Sequence, residues 1–280
     1  MYYRLICSDL DDTLLTSDGR VLPEVTSAVH RYESAGGKFA IVTGRMTAGA
    51  LPIANEMGLH GEIITYQGAL LSDIDTGATL FAETIPTSDA VRIGEYLEKK
   101  GVYYQTYIGN EFFTARANDF TRLYGKLSFA EFVETGVPLS AYLRENAVSP
   151  PKILIMEQPK EIPAIQRDLI EVFGEDFLIN TSKPYIIEII PRTVSKAVAV
   201  ARLAARYDIP REQVICVGDS QNDLPMIDYA GVGVVVGNAG DEVKAHADFI
   251  APTNDEGGLA FVVDRFGKME RAFCPGDPIE

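Results

Sequence analysis

The chain has 280 residues, 46% of them hydrophobic and 23% charged, an ordinary globular balance with enough apolar material for one large domain or two. With 25 basic and 40 acidic residues the formal net charge is −15, which argues against nucleic acid or an anionic membrane surface as a non-specific partner. No run of about 18 apolar residues is present to span a membrane, and acidic residues interrupt the N-terminus before any signal-type apolar region forms. The expected location is the cytoplasm. Cys7, Cys216 and Cys274 lack the spacing of a metal site or a disulfide framework. Cys7 and Cys216 fall in apolar runs and read as small core residues.

Leu5, Ile6 and Cys7 form a short apolar run, as a buried strand does. Carboxylates follow at Asp9, Asp11 and Asp12. Like charges gathered so closely repel one another, so stability alone does not explain them. A divalent cation would, because Mg2+ takes hard oxygen ligands. The plainer alternative is a polar turn in which an Asp caps a helix. Leu22, Val25, Val29 and Tyr32 then recur at helical spacing up to Gly36-Gly37. Residues 39–42 read as a second strand ending at Thr43-Gly44-Arg45, 48–57 as a helix, and 63–66 as a third strand. Strand–helix–strand alternation marks a parallel α/β sheet.

The character changes near Ile85-Pro86. A helix is expected over 88–100, then a hairpin of 102–108 and 111–114 turning at Gly109-Asn110. Residues 118–151 carry only weak helical segments. A strand over 152–156, a helix over 160–173 and strands over 177–181 and 185–190 suggest a separate α+β unit. Its aromatic residues, Tyr103, Tyr104, Tyr107, Phe112 and Phe113, read as core. Alternation returns with a helix from Ser195 to Tyr207, a strand over 214–217, a helix with Pro225 in its first turn, and strands at 232–236 and 249–250 around a short helix at 241–246. The first domain is therefore interrupted by the second. His30, His60 and His246 have no metal-type spacing and read as structural. The tail, Phe273 to Pro278, reads as irregular.

Three strand ends now carry polar groups: Asp9 with Asp11, Thr43, and Asp219 with Asp223. Parallel strands put these on one edge, where open α/β sheets bind ligands. Lys196 opens a helix just after the inserted unit. The motifs Asp9-Leu10-Asp11-Asp12-Thr13, Val42-Thr43-Gly44-Arg45, Lys196 and Gly218-Asp219-Ser220-Gln221-Asn222-Asp223, with Gly237-Asn238-Ala239 and Ala247-Asp248, resemble those of the haloacid dehalogenase superfamily of phosphatases. Within it, the chain resembles the Cof-type branch with a type IIB cap.

The resemblance implies a Rossmann-like parallel-sheet core, residues 1–84 and 191–280, with an inserted α+β cap of the C2 type, residues 85–190, that sets substrate choice. It implies Asp9 as nucleophile, Asp11 as acid and base, and Thr43 and Lys196 as further catalytic residues. Leu10, Thr43, Gly44, Lys196 and Asn222 would bind phosphate. Asp9, Asp11, Asp219 and Asp223 would hold Mg2+, Asp223 by supporting the shell around it. The implied activity is hydrolysis of small phosphate monoesters, such as sugar phosphates, through an aspartyl-phosphate. The implied partner is a small phosphorylated metabolite, and the implied state a monomer or weak homodimer. A phosphomutase of the same fold and a phosphate-ester sensor without turnover are the alternatives. The complete set of Asp9, Asp11, Lys196 and Asp219 speaks against the sensor. Two positions depart from the family pattern: Gln67 stands where Asn is usual, and Ala197 where Gly is common.

Overall fold

The computed structural model describes residues 3–128 and 130–267. The tail from Phe273 to Pro278, with Cys274, lies outside them. In chain order the elements begin with β1 (Leu5–Ser8), α1 (Pro23–Ser34), β2 (Lys38–Ile41), α2 (Thr47–Glu56), β3 (Glu62–Thr65), β4 (Leu70–Asp73) and β5 (Thr79–Ala82). They continue with α3 (Thr87–Lys99), β6 (Tyr104–Ile108), β7 (Glu111–Thr114), α4 (Asp119–Ser128), β8 (Phe132–Glu134), α5 (Leu139–Glu145), β9 (Ile153–Met156), α6 (Ile162–Phe173), β10 (Phe177–Lys183) and β11 (Ile186–Pro191). The chain closes through α7 (Lys196–Arg206), β12 (Val214–Gly218), α8 (Leu224–Tyr229), β13 (Val232–Val236), α9 (Asp241–Lys244), β14 (Phe249–Ala251) and α10 (Gly258–Phe266). No helix among the described residues is long and apolar enough to cross a membrane.

The chain divides into two compact units. One takes the residues up to Gly44, Ile53–Leu80 and those from Ser195 on; the other takes Arg45–Pro52 and Phe81–Val194. The first unit is built on a five-stranded sheet of order β14-β13-β12-β1-β2, parallel throughout. Its central strands are apolar on both faces because helices cover both, and Leu5, Ile6, Cys7, Val214, Ile215 and Cys216 are fully buried. Cys7 and Cys216 are register partners across β1 and β12. Val25, Ala28, Val29 and Tyr32 give α1 its buried stripe.

Sequence reasoning passed over α10, although Leu259, Val262, Val263 and Phe266 have helical spacing and are buried. The third strand also differs from expectation. β3 pairs antiparallel with β4 in a three-stranded sheet, β3-β4-β5, and meets the parallel sheet through a bridge between Val42 and Ile64. The cause is local: the chain reverses within Tyr66–Gly68, so β4 occupies the edge of β3.

The second unit holds a six-stranded sheet of order β10-β11-β9-β6-β7-β8, in which the neighbouring strands pair antiparallel except β7 with β8. The hairpin at Gly109-Asn110 is present, and Gly109 takes the positive φ of 59° that its turn needs. Tyr104, Phe113, Ile153, Ile155, Ile187 and Ile189 form a buried cluster with residues of α3, α5 and α6. Residues 118–151 resolve into α4, β8 and α5. β8 has no sequence signal, because three residues carry no alternation to recognise. Lys152 and Glu188 form a buried ion pair, beside Tyr107, whose hydroxyl donates to that of Tyr124 at 2.6 Å.

Candidate active site

The site begins where β1 ends. Asp9 continues the strand's pairing, its N–H donating to the Val217 carbonyl at 2.9 Å, so its side chain is delivered beside the end of β12. There the chain turns sharply after Gly218. A side chain at 218 would put its Cβ 2.5 Å from the Cβ of Asp223. That closeness lets Asp223 tie the turn together. Its Oδ2 accepts from the Asp219 N–H at 3.1 Å and the Ser220 N–H at 3.0 Å.

Lys196 is the first residue of α7. Ser195 caps that helix, its Oγ accepting from the Val198 N–H at 3.2 Å. The Lys196 ammonium donates to Asp9 Oδ1 and to Asp223 Oδ1, each at 2.5 Å. Lys196 is 1% exposed, Asp223 0% and Asp9 5%. A buried charge network costs several kcal/mol per ion unless its geometry is good. One ammonium shared by two carboxylates balances only one of them.

The pKa shifts follow. Burial pushes the Asp9 carboxyl well above its usual range, Lys196 opposes this, and Asp223 and Asp219 add to it. Burial works against the charge on Lys196, but Asp223 and Asp9 outweigh it and its pKa rises. Asp219 is half-buried and is pushed up to about 6, by burial and then by Asp223. Thr13 offsets part of that by donating to Asp219 Oδ1 at 2.9 Å.

Carboxylate oxygens of Asp9, Asp219 and Asp223 lie within 4.8 Å of one another. Hard oxygen donors with excess negative charge fit a divalent cation such as Mg2+. Both oxygens of Asp223 already serve Lys196 and the turn, whereas Lys196 and Thr13 each engage only Oδ1 of Asp9 and of Asp219. Asp11 is exposed in the turn that follows Asp9.

The phosphate-binding candidates lie on neighbouring loops of the same unit. Leu10 is fully buried, and its carbonyl accepts the N–H groups of Leu14 and Leu15. Thr43 is buried, its N–H donating to Ile64 and its carbonyl accepting from the Gln67 N–H at 3.0 Å. Asn222 is exposed and donates from Nδ2 to Gln67 Oε1 at 3.0 Å. Sequence reasoning had assigned no role to Thr13, Ser220 or Asn238. Asn238 holds the acidic loop by donating to the Asp12 carbonyl at 2.8 Å. His30, His60 and His246 pair instead with the Met57 carbonyl, Asp75 and Asp228.

Gly68 explains how α7 comes so close. Its φ is 102°, and a Cβ there would stand 2.4 Å from the Ser195 carbonyl oxygen. Gly68→Ala is expected to cost about 2 kcal/mol or more, because alanine meets both the backbone restriction and the collision. Urea unfolding measures the loss. Activity should fall with it, since the displaced segment carries Lys196.

Residues 6–263 match the family described as haloacid dehalogenase-like hydrolase. Phosphatase YwpJ of Bacillus subtilis (strain 168) is 30% identical, with 93% of this chain and 98% of that protein covered. The 5-amino-6-(5-phospho-D-ribitylamino)uracil phosphatase YwtE of the same organism is 26% identical, covering 94% of this chain and 97% of its own. A crystal structure of a haloacid dehalogenase-like hydrolase from Bacteroides thetaiotaomicron superposes with a TM-score of 0.85 at 29% identity, covering 94% of this chain and 99% of that one.

Proposed function

The chain belongs to the haloacid dehalogenase-like hydrolase family, and from that premise we propose a Mg2+-dependent phosphatase of small phosphate monoesters that works through an aspartyl-phosphate. The observation that carries this reading is the Lys196 ammonium, buried and 2.5 Å from both Asp9, at the end of β1, and Asp223, in the turn that follows β12. Such a network is a poor source of stability, and perturbed buried charges of this kind cluster at functional sites.

Asp9 attacks phosphorus, the P–O bond to the leaving group breaks, and Asp11 gives that oxygen its proton. Asp11 then takes a proton from the water that attacks the phosphoryl group. Inorganic phosphate leaves and the Asp9 carboxylate is regenerated. Lys196 favours the ionised nucleophile and stabilises charge on the transferring group. Leu10, Thr43, Gly44 and Asn222 bind the phosphoryl oxygens. Asp9, Asp11 and Asp219 would hold Mg2+, with Asp223 supporting them from behind, and the bound ion supplies the positive charge that lets a carboxylate meet a phosphate.

Sugar phosphates and related phosphorylated metabolites are the proposed substrates. A relative named for a phosphate on a ribityl chain supports this. Substrate choice is assigned to residues 85–190, since none of the residues given a chemical role falls there.

The test is a panel of phosphorylated metabolites incubated with purified protein and Mg2+, ranked by kcat/KM. Free phosphate is the expected product; an isomerised phosphosugar would indicate a mutase, and no turnover of any ester would sink the reading. Chelation is expected to lower the rate by more than about 100-fold, because the ion contributes several kcal/mol of charge stabilisation. Added Mg2+ should restore it. Ca2+ should inhibit, since its larger and looser coordination misplaces the phosphate. Full activity in excess chelator would remove the metal assignment.

A further inference from the structure

The chain leaves β3 through three consecutive residues at positive φ: Tyr66 at 52°, Gln67 at 61° and Gly68 at 102°. Glycine adopts this conformation freely, whereas tyrosine and glutamine do so only when the surroundings hold them there. Gly68 is accounted for by its approach to Ser195. The position of Gln67 has another consequence. Its N–H donates to the Thr43 carbonyl. Its side-chain amide lies against Gly44, where any Cβ would come within 2.4 Å of Gln67 Nε2. Its Oε1 accepts from Asn222 Nδ2. One residue thus touches both loops assigned to phosphate binding.

The other end of Asn222 is also held, because its Oδ1 accepts from the Ser220 hydroxyl at 2.6 Å. These two bonds fix which way the Asn222 amide points. One of its two N–H groups goes to Gln67, and the other remains available to a ligand. An exposed asparagine without these partners would have to be ordered by the substrate at the time of binding, which weakens its contribution.

We propose that Gln67 is a positioning residue that orients Asn222 against the Thr43–Gly44 loop for the phosphoryl group. This rests on the phosphatase reading above. Acting on the phosphoryl end, Gln67 affects every substrate alike and does not read the leaving group. An asparagine at 67 is shorter by about 1.5 Å, one carbon–carbon bond, and cannot both lie on Gly44 and reach Asn222.

The experiment is a double-mutant cycle, with kcat and KM measured on p-nitrophenyl phosphate and on the best substrate of the panel. Gln67→Ala and Asn222→Ala should each lower kcat/KM by about five- to tenfold, the scale of one hydrogen bond. The loss should be equal on both substrates, and the double variant no worse than Asn222→Ala alone. Gln67→Asn guards against a folding artefact, because asparagine tolerates left-handed backbone better than glutamine. It should keep or raise Tm and still lose the activity. Additive losses, losses confined to one substrate, or wild-type kcat/KM in Gln67→Asn would overturn the proposal while leaving the phosphatase reading standing. A wild-type protein that hydrolyses neither ester would overturn both.

Discussion

Asp9→Asn is expected to reduce phosphate release by at least about 10⁴-fold, the scale on which losing a nucleophile acts. The amide has the shape of the carboxylate and leaves Lys196 an acceptor oxygen, but it cannot form the acyl-phosphate bond. The fold should gain by the change in the metal-free state. Burial raises the Asp9 carboxyl above its unfolded value, and a group raised in this way helps stability below its unfolded pKa and loses that contribution as pH rises through the folded one. Once pH exceeds the unfolded pKa, holding this carboxyl in the folded site is therefore a cost, and Asn removes it. Thermal unfolding in chelator should show Tm higher by about 2–4 °C. Turnover by a clean Asp9→Asn preparation would end the covalent mechanism.

Lys196→Met should damage both stability and chemistry. The side chain is buried, so methionine fits its space, but Asp9 and Asp223 lose the ammonium that each contacts at 2.5 Å. Breaking one partner out of a buried pair costs about 3–5 kcal/mol. The rate should fall by about 10³-fold as transition-state charge goes unanswered. Without Lys196, which opposes the upward shift of Asp9, the folded pKa of that carboxyl rises further above its unfolded value. The penalty should accordingly be largest at neutral and alkaline pH and shrink as acid protonates Asp9. Urea unfolding at pH 5 and pH 8 separates this from a packing defect, which would cost the same at both. Lys196→Arg should not rescue, since a planar fork cannot replace a point charge between two carboxylates.

The parts of this site that were legible in the sequence share a physical cause. Buried parallel strands are written as short continuous apolar runs, and after Cys7, Val42 and Val217 these runs give way to polar and turn-forming residues. Lys196 was legible only through its motif, because an isolated lysine at a helix start usually lies in solvent. The rest depended on three-dimensional proximity. Thr13 reaches Asp219 across the sheet, and nothing local in either segment announces that bond. Asp223 looked like a carboxylate for the metal shell, and only the tight turn after Gly218 shows how fully its oxygens are engaged. β5 was missed because its residues are mostly exposed and carry no alternation. Gln67 was visible as a departure from a family pattern, but its contacts come from a backbone conformation that propensity disfavours.

The place of β1 in the sheet bears on how the protein is made. β1 lies between β2 and β12, pairing Leu5 with Lys38 on one side and with Val214 on the other. A ribosome therefore exposes one edge of this fully buried strand long before its second neighbour exists. The inserted unit, by contrast, has every strand of its own sheet once Val194 has emerged. Domains fold as units during synthesis, usually from the N-terminus onward, and here that order is inverted. The unit that starts first finishes last, and the open edge of β1 is the surface a chaperone would need to shield in the interval.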